Sequence, residues 1–465
     1  MKIYKIKSLA LILMSVLILG SCEKWINTDL NVDPDSPTIV PKALILPAIQ
    51  ARMGYSLGGN DAVLTTNNWM QYFNGFARQQ YTISKHQFLP SDCNNLWNAI
   101  YAGILKDALV LKQMAKSEGQ FSDLKPNGHY EAIANIHIAV TLGITTDLWG
   151  DIPYSNAFGG ENGEYNATFD TQQSIYTTIQ TLLSDAITLL AVAADPTDVV
   201  KGDMVFNGNA AKWTKVAYAL KARYAMNLSK VNGNAAATEA LGYISNALAS
   251  NDDNFIIPFG VGDRAANPLY QFNLERADAN MSETYVNMLN TASDPRINFT
   301  ATLIGGVAVG APQATETSGV SLMGTAIAGK STSVILMSYA ELKFIEAEAN
   351  LMLGNAAPAL AAFKAATAAS VLQQTGAANT TWLDANINNK ASVSLTDVMT
   401  QKYISSIATV QAYNDWRRTG IPALSAPASA IGQIPRRYPY PQEEVTYNEN
   451  TPKDLTINSK NWWDK

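Results

Sequence analysis

The sequence predicts a mostly α-helical protein, in which paired helices form a superhelix and irregular, loop-rich stretches interrupt them. Apolar residues recur at the helical period along most of the chain, and glycine and asparagine separate neighbouring helical patterns. Two long stretches lack this period. The chain has 465 residues, of which 47% are hydrophobic and 15% are charged. That is enough apolar material for a large core and too much for a disordered chain.

The N-terminus has the pattern of a secretory signal. Three lysines precede an apolar run at residues 9–19, which is too short to span a bilayer but suits a signal peptide. The run ends in Leu-Gly-Ser directly before Cys22, which resembles a bacterial lipobox. We therefore expect a lipoprotein signal peptide over residues 1–21 and a lipid on Cys22. The alternative is an ordinary signal peptide followed by an incidental cysteine.

Residues 22–42 are polar and contain three prolines, which is typical of a tether. Residues 43–465 are then expected to form a single domain. No segment after the signal peptide is expected to span a bilayer, so the prediction is a soluble domain held at a membrane by its lipid. Multiple acyl chains would anchor it firmly.

Helices are predicted wherever the period near 3.6 persists. The predicted ranges are 96–114, 130–148, 171–190, 210–228, 236–249, 334–353 and 357–372. The last two are separated by Gly354-Asn355, and small residues at Ala359 and Ala366 allow close helix packing. This pair resembles a tetratricopeptide unit. The alternative is a generic antiparallel helix pair.

Two regions interrupt the helical pattern. Residues 251–280 contain prolines, glycines and aromatic side chains, and residues 300–333 are rich in glycine, alanine, threonine and serine. In the second region, Glu316 and Lys330 are the only charged residues. Long irregular stretches of this kind are either functional loops or disordered segments. Both alternatives stay open for residues 300–333.

The amino-acid composition argues against several classes of function. The chain has 39 acidic and 33 basic residues, a balance that argues against nucleic-acid binding. Three histidines and two cysteines nearly exclude a zinc site or a disulfide framework, and Cys93 is expected to be a small buried apolar residue. No nucleophile elbow or phosphate loop is present, so we expect neither an enzyme nor a cofactor. Three glutamates in the 334–353 helix are expected to be solvated: Glu341, Glu346 and Glu348.

Aromatic residues beside amide side chains give the strongest binding signal. Residues 67–81 combine them repeatedly, and such neighbours can stack on the faces of a sugar and bond its hydroxyls. The alternative is that Trp69, Tyr72 and Phe73 belong to the core. The candidate ligand-binding residues are Trp69, Tyr72, Arg78, Tyr81, Tyr270 and Trp382.

Several short motifs, in this order, carry a family resemblance. They are residues 146–154 (TDLWGDIPY), Asp203, residues 212–213 and 220–223, residues 294–296 (DPR), residues 413–422 (YNDWRRTGIP), residues 434–437 (IPRR), residues 440–441, residues 443–444, Asn448 and residues 462–464 (WWD). With the lipobox and the helix pairs, they make the chain similar to the SusD/RagB lipoproteins of Bacteroidetes outer membranes, in the SusD-like branch associated with starch binding. The motif residues themselves are expected to build the fold. Asp147 or Asp151 would cap a helix, and Arg417, Arg418, Arg436 and Arg437 would pair near Glu443 and Glu444.

The resemblance implies four tetratricopeptide-like helix pairs on one side of the domain and a loop-built ligand face on the other. It also implies a surface-exposed, lipid-anchored protein that captures a glycan. The glycan would pass to a SusC-like TonB-dependent outer-membrane transporter, without a cofactor and without breaking a bond. Two alternatives keep the architecture: capture of peptides, or a helical scaffold without a small ligand.

Overall fold

Helices make up most of the structure, a computed structural model that describes residues 40–464. Residues 1–21, the lipidation residue Cys22 and most of the tether lie outside the described residues. From Lys42 onward the chain forms one compact unit. Its first elements are α1 (Lys42–Arg52), α2 (Asp61–Trp69), β1 (Phe73–Gly75), α3 (Arg78–Ser84), α4 (Asn94–Asn98), α5 (Lys106–Lys116) and α6 (Gly128–Trp149).

A short antiparallel pair of strands follows α6 and leads into the middle of the chain. The elements here are β2 (Ile152–Pro153), β3 (Phe169–Asp170), α7 (Gln172–Leu190), α8 (Ala210–Asn227), α9 (Ser229–Asn232), α10 (Asn234–Ile244) and β4 (Phe255–Ile257). The predicted helices at 130–148, 171–190 and 210–228 are confirmed to within two residues. The helix predicted at 236–249 is wrong beyond residue 244, where the chain leaves the helix for turns.

The remaining elements alternate short helices with two more strands before the last long helix pair. They are α11 (Pro268–Glu275), β5 (Ala279–Met281), α12 (Glu283–Thr291), α13 (Ile297–Thr300), α14 (Thr325–Ala328), β6 (Val334–Met337), α15 (Tyr339–Met352), α16 (Ala356–Thr375), α17 (Thr380–Leu383), α18 (Leu395–Ser405), α19 (Gln411–Thr419) and α20 (Gln442–Tyr447). The strands form three two-stranded antiparallel sheets: β1 with β5, β2 with β3, and β4 with β6.

The long helices pack side by side in one continuous row. Each contacts the next in the order α1, α5, α6, α7, α8, α10, α15 and α16. Gly354, with a φ of 78°, lies in the tight connection between α15 and α16 and lets the chain turn there. This row is the predicted helical superhelix, and the predicted mostly α fold is confirmed.

Two of the predicted helices differ from the helices that the structure contains. Residues 96–114 form α4, a π-helical segment over Ala99–Leu105 and then α5. The predicted start at Val334 is wrong, because Val334–Met337 form β6 and pair with Phe255–Ile257. This apolar run suits a strand, and the side chain of Ser338 caps the helix that starts at Tyr339.

Helix α6 is the centre of the core. Among the described residues it is the one helix long and apolar enough to cross a membrane, and almost all of it is buried inside the protein. Its length and composition alone would suit a membrane span, but its burial is that of a core helix. Its apolar residues instead contact α5 and α7 on either side. Burial on all faces explains why this helix is hydrophobic all round.

The glutamates of α15 are not all solvated. Glu341 accepts two hydrogen bonds of 2.6 Å from Arg223, and Glu348 accepts two from Arg418. Both carboxylates are buried, so the expectation of a solvated charged face is wrong for them. The buried arginines stabilise these charges, which could not otherwise leave water.

The C-terminal arginines pin the chain as expected, but with other partners. Arg436 pairs with Asp464, and the Arg417 guanidinium lies 4.0 Å from the ring centroid of Tyr413 and 4.6 Å from that of Trp463. Arg437 donates to the carbonyl of Trp149. The expected pairing with Glu443 and Glu444 is wrong, because these carboxylates accept from two side chains of α4, Asn98 and Trp97.

The two aspartates of the 146–154 motif have separate structural roles. Asp151 accepts a 2.8 Å hydrogen bond from the backbone N–H of Gln172 and so helps to cap α7. Asp147 lies within α6 and is fully buried, where it accepts from the hydroxyl of Tyr176 and the indole N–H of Trp463. Burial raises the pKa of Asp147 to about 6.

The irregular stretch at 300–333 is folded. Isolated bridges join Ala301 to Met323 and Ile304 to Val307, and the Gln313 side chain donates to the backbone of Asn68. The disordered alternative is wrong for this segment, and its closure over a ligand stays a prediction. Cys93 is buried and unpaired, which confirms its expected apolar role.

Candidate ligand-binding cavity

Two of the sequence-predicted binding residues lie in the core. Trp69 is fully buried between Phe88 and Tyr438, with ring centroids 5.4 and 5.2 Å away. Tyr72 is also fully buried, stacks on Tyr403 at 4.3 Å and donates its hydroxyl proton to the Tyr403 carbonyl at 2.5 Å. Neither ring offers a face to a ligand in this structure. The core alternative therefore describes both residues.

Arg78 and Tyr81 lie on α3 at the surface. Arg78 donates to the carboxylate of Asp278 and to the carbonyl of Arg276, while much of its side chain stays exposed. Tyr81 is half-buried, and the ammonium of Lys85 lies 5.0 Å from its ring centroid. Arg276 also pairs with Asp278, so the two arginines share one buried carboxylate.

Tyr270 and Trp382 lie apart from the other candidate residues. Tyr270 is half-buried on α11, with the ammonium of Lys330 at 5.9 Å from its ring centroid. Trp382 donates from its indole N–H to the carbonyl of Ala292 and packs against a separate apolar cluster. Within residues 40–464, no hydrogen bond or ring contact joins Trp382 to the other five candidates. The structure does not bring the six candidates into one site.

A cavity of about 220 Å³ adjoins the predicted aromatic segment. We call it the Asp61 cavity. Its walls come from α2, α3, the short helix Pro90–Cys93, α4 and α11. It is lined mainly by amide, hydroxyl and carboxylate side chains above three aromatic rings: Asn60, Asp61, Leu64, Thr65, Gln79, Gln80, Ile83, Phe88, Asp92, Asn95, Leu96, Phe272, Arg276 and Tyr438.

Hydrogen bonds fix part of this wall. Asn68 donates to the side-chain carbonyl of Gln80 at 2.8 Å, and Ser84 donates to Asn68 at 2.9 Å. Gln79 donates to Asp92 at 3.1 Å, which links α3 to the short helix across the rim. The side chains of Gln79, Gln80 and Asp92 are therefore held in place before any ligand enters. Such preorganisation lowers the entropy cost of binding.

Asp61 is the unusual group in the cavity. It is the first residue of α2 and is half-buried, and burial raises the pKa of its carboxyl. Among the described residues, no side chain or backbone donor contacts its carboxylate. A carboxylate that is only partly hydrated and has no donor from the protein can accept a hydrogen bond from a ligand.

The cavity has the chemistry of a binding site for a neutral, hydroxyl-rich ligand. Its amide and carboxylate groups can donate to and accept from hydroxyls, and Phe88 and Phe272 provide apolar contact. Ligand pockets usually measure about 300–1,000 Å³, so this volume suits one end of a chain rather than a whole oligomer. Within residues 40–464, no three histidine, cysteine or acidic side chains come together as metal ligands.

The residues that matter here were only partly identified from the sequence. Residues 67–81 were recognised as a binding segment, and its Gln79 and Gln80 do line the cavity. Asp61, Asn95 and Arg276 were missed. An acidic residue in the first turn of a helix, such as Asp61, is ordinarily explained by the helix dipole, so nothing in its sequence context indicates a binding role.

Comparisons with known proteins agree on one family. Residues 34–441 match the SusD-like family model described as starch-binding, associating with the outer membrane. A SusD/RagB family protein from Bacteroides thetaiotaomicron has 26% identity and a TM-score of 0.78, covering 92% of this chain and 99% of that one. No curated protein matches the chain.

Two further solved structures share the fold. A chitin-binding protein has 24% identity and a TM-score of 0.76, covering 91% of this chain and all of that one. A chitin-binding SusD homolog from Flavobacterium johnsoniae has 21% identity and a TM-score of 0.74, covering 91% of this chain and 98% of that one.

Proposed function

Because the chain belongs to the SusD-like family, we propose that it is a surface-exposed lipoprotein that binds an extracellular glycan and delivers it to a partner TonB-dependent outer-membrane transporter. The lipid on Cys22 holds the domain at the outer membrane. No bond of the glycan is broken, in keeping with a family of binding proteins. The names of its relatives make starch and chitin the first ligand classes to examine.

The Asp61 cavity is the observation that carries the binding part of the proposal. Its preorganised amides and the unpaired carboxylate of Asp61 match the hydroxyls of a sugar. The low share of charged residues in the chain also suits a neutral ligand. Within this proposal, the cavity holds the end of a glycan chain whose remainder extends past Arg78 and Tyr81.

Binding is tested with the purified protein and a panel of polysaccharides, oligosaccharides and peptides that includes soluble starch and chitohexaose. We expect a glycan to bind and the variant Asp61→Asn to bind it about tenfold or more weakly, because hydrogen bonds to charged groups contribute about 1.5–3 kcal/mol. Asp123→Asn is the matched control, since Asp123 is exposed and outside the cavity. Binding of peptides but no glycan would support the peptide alternative and overturn this proposal.

Delivery is tested by affinity purification of the tagged lipoprotein from detergent-solubilised outer membranes, with mass spectrometry of the eluate. We expect a large TonB-dependent barrel to co-purify. An eluate without a barrel would leave a free-standing binder or a scaffold and would contradict the delivery step.

A further inference from the structure

A second, larger recess lies on the row of long helices, away from the Asp61 cavity. Two cavities of about 360 and 520 Å³ meet there, and both are walled by Gln173 and Trp462. The first is bounded by the C-terminal segment and the start of α7, and the second by α7 and the α8–α9 junction. We call the two together the Trp462 groove. Each cavity lies within the usual size range of ligand pockets.

Trp462 stands at the junction of the two cavities. Its side chain is half-buried and packs against the core, and within residues 40–464 its indole N–H donates no hydrogen bond. Its neighbour Trp463 is fully buried and donates to Asp147. Trp463 therefore has a structural role, whereas Trp462 has a free N–H donor and a partly exposed ring. A ring of this kind is a stacking surface for apolar faces.

The wall along α7 is a ladder of neutral polar side chains. Gln173, Thr177, Gln180, Thr181 and Ser184 all face the larger cavity, as their spacing of three and four residues requires. Charged groups occur only in the smaller cavity, where Asp151, Arg437 and Lys460 lie. The larger cavity therefore suits an uncharged ligand.

Each cavity also has a buried oxygen that lacks a donor. In the smaller one, Asn461 is 2% exposed and its amide N–H donates to the backbone of Asp147, but its Oδ1 receives no hydrogen bond. In the larger one, Gln180 donates to the backbone of Lys221 while its Oε1 also receives none. Unmet acceptors in two neighbouring cavities favour a ligand rich in hydroxyl donors.

Gly150 keeps the smaller cavity open. Its φ is +85°, and a Cβ at this position would lie 3.0 Å from Oδ1 of Asn461 and 3.5 Å from Nη1 of Arg437. Any side chain at Gly150 would therefore crowd the unpaired oxygen. A polar oxygen without a donor therefore lies directly beneath the floor of the groove at this point.

We propose that the Trp462 groove is a second glycan-binding site, in which a saccharide ring stacks on Trp462 and its neighbours bond the amides of α7 and the C-terminal segment. This rests on the proposed function, since it gives the same glycan a second attachment point. An extended peptide would bind by adding a strand to a sheet edge, and the walls of this groove are helices and a C-terminal segment, with no strand among their residues.

The test uses fluorine NMR of the full-length protein carrying 5-fluorotryptophan, with soluble starch and chitohexaose as probes. The chain has nine tryptophans, and Trp462→Phe assigns the signal of interest. We expect a probe to shift the Trp462 signal and Trp462→Ala to weaken binding of that probe about fivefold or more. The shift should persist in Asp61→Asn, because that substitution affects the other cavity.

A second variant covers the case in which Trp462→Ala fails to fold. Thr177→Arg places a large side chain in the groove, and Thr188→Arg is its matched control. Both threonines are exposed on α7 and donate their hydroxyl proton to the carbonyl four residues earlier, but only Thr177 lines the groove. We expect Thr177→Arg alone to abolish the Trp462 shift.

The outcomes separate this inference from the proposed function. A protein that binds a probe through Asp61 with an unchanged Trp462 signal overturns the second site and leaves the proposed function intact. A protein that binds neither probe, with no change in any tryptophan signal, overturns both for these glycans. A Trp462 shift that survives Thr177→Arg contradicts the location assigned to the ligand.

Discussion

Arg418 and Glu348 form a bidentate ion pair, with Nη1–Oε1 and Nη2–Oε2 distances of 2.6 and 2.9 Å and both side chains almost fully buried. The pair joins α19, in the C-terminal motif, to α15, in the row of long helices. Arg418 also contacts Asp415, which in turn pairs with Lys402 of α18. One network of charges therefore ties three helices together at the end of the superhelix.

Removing one member of this network should strongly destabilise the folded protein. We expect Glu348→Gln to lower the free energy of unfolding by about 3 kcal/mol or more, because it leaves the buried Arg418 charge undercompensated. The measurement is urea denaturation. Lys330→Met is the control, since Lys330 forms a solvent-screened pair with the exposed Asp263 and its loss should change the stability little. Equal effects of the two substitutions would contradict a special role for the buried pair.

Asp147 should make stability depend on pH. Burial raises its pKa to about 6 in the folded protein, above the usual 3.8 of the unfolded chain. The folded state thus binds this proton more tightly, so stability falls as the pH rises from about 4 to about 6 and then levels off. The contribution is at most about 3 kcal/mol at 1.36 kcal/mol for each pH unit.

The check is the free energy of unfolding measured between pH 4 and pH 7. Asp147→Asn cannot ionise, so its curve should lack this decline, although the loss of an acceptor oxygen for Asn414 or Tyr176 lowers its stability overall. Parallel curves for the two proteins would contradict the assignment of the decline to Asp147.

Trp69 and Arg78 should respond differently to truncation. Trp69→Ala removes a fully buried ring from an aromatic cluster and should destabilise the protein by about 3–5 kcal/mol. Arg78→Ala removes one surface partner of Asp278, which keeps Arg276, and should destabilise the protein far less than Trp69→Ala does. Thermal denaturation compares them. A mild effect of Trp69→Ala would argue against its core role.

Lipidation should depend on Cys22 alone. Cys22→Ala should abolish labelling of the protein by radioactive palmitate and release it from the membrane fraction, because the lipobox thiol is the predicted attachment point. Cys93→Ala is the control, since Cys93 is buried and unpaired and its replacement should keep the label. Labelling that persists in Cys22→Ala would contradict the lipoprotein prediction.

The helical framework could be predicted from periodicity because each long helix buries a regular apolar face. Residues 171–190 show this well, since Thr171 caps the helix and the apolar spacing runs unbroken to Leu190. Val334–Met337 were wrongly predicted to be helical, because a short apolar run suits a helix or a strand equally well. Only the partner strand Phe255–Ile257, far away in sequence, decides in favour of β6.

The candidate site was also predicted only in part from the sequence. Residues 67–81 were identified because aromatic residues lie beside amide side chains there, but this neighbourhood does not tell which rings face solvent. Trp69 and Tyr72 are buried by Tyr438 and Tyr403, residues more than 300 positions later. The exposed Gln79 lines the cavity instead.

The sequence by itself determined the helical class and the family. The helical period and the order of the short motifs can both be read from the amino-acid sequence alone. It also gave the signal-peptide and lipid-anchor predictions, which await their tests. Tertiary structure alone decided which polar groups lose their water and which of those find partners. Glu348 meets Arg418 across 70 residues, whereas Asp61 and Oδ1 of Asn461 meet no donor within residues 40–464. Desolvation and pairing depend on distances between remote segments, and those distances exist only in the folded chain.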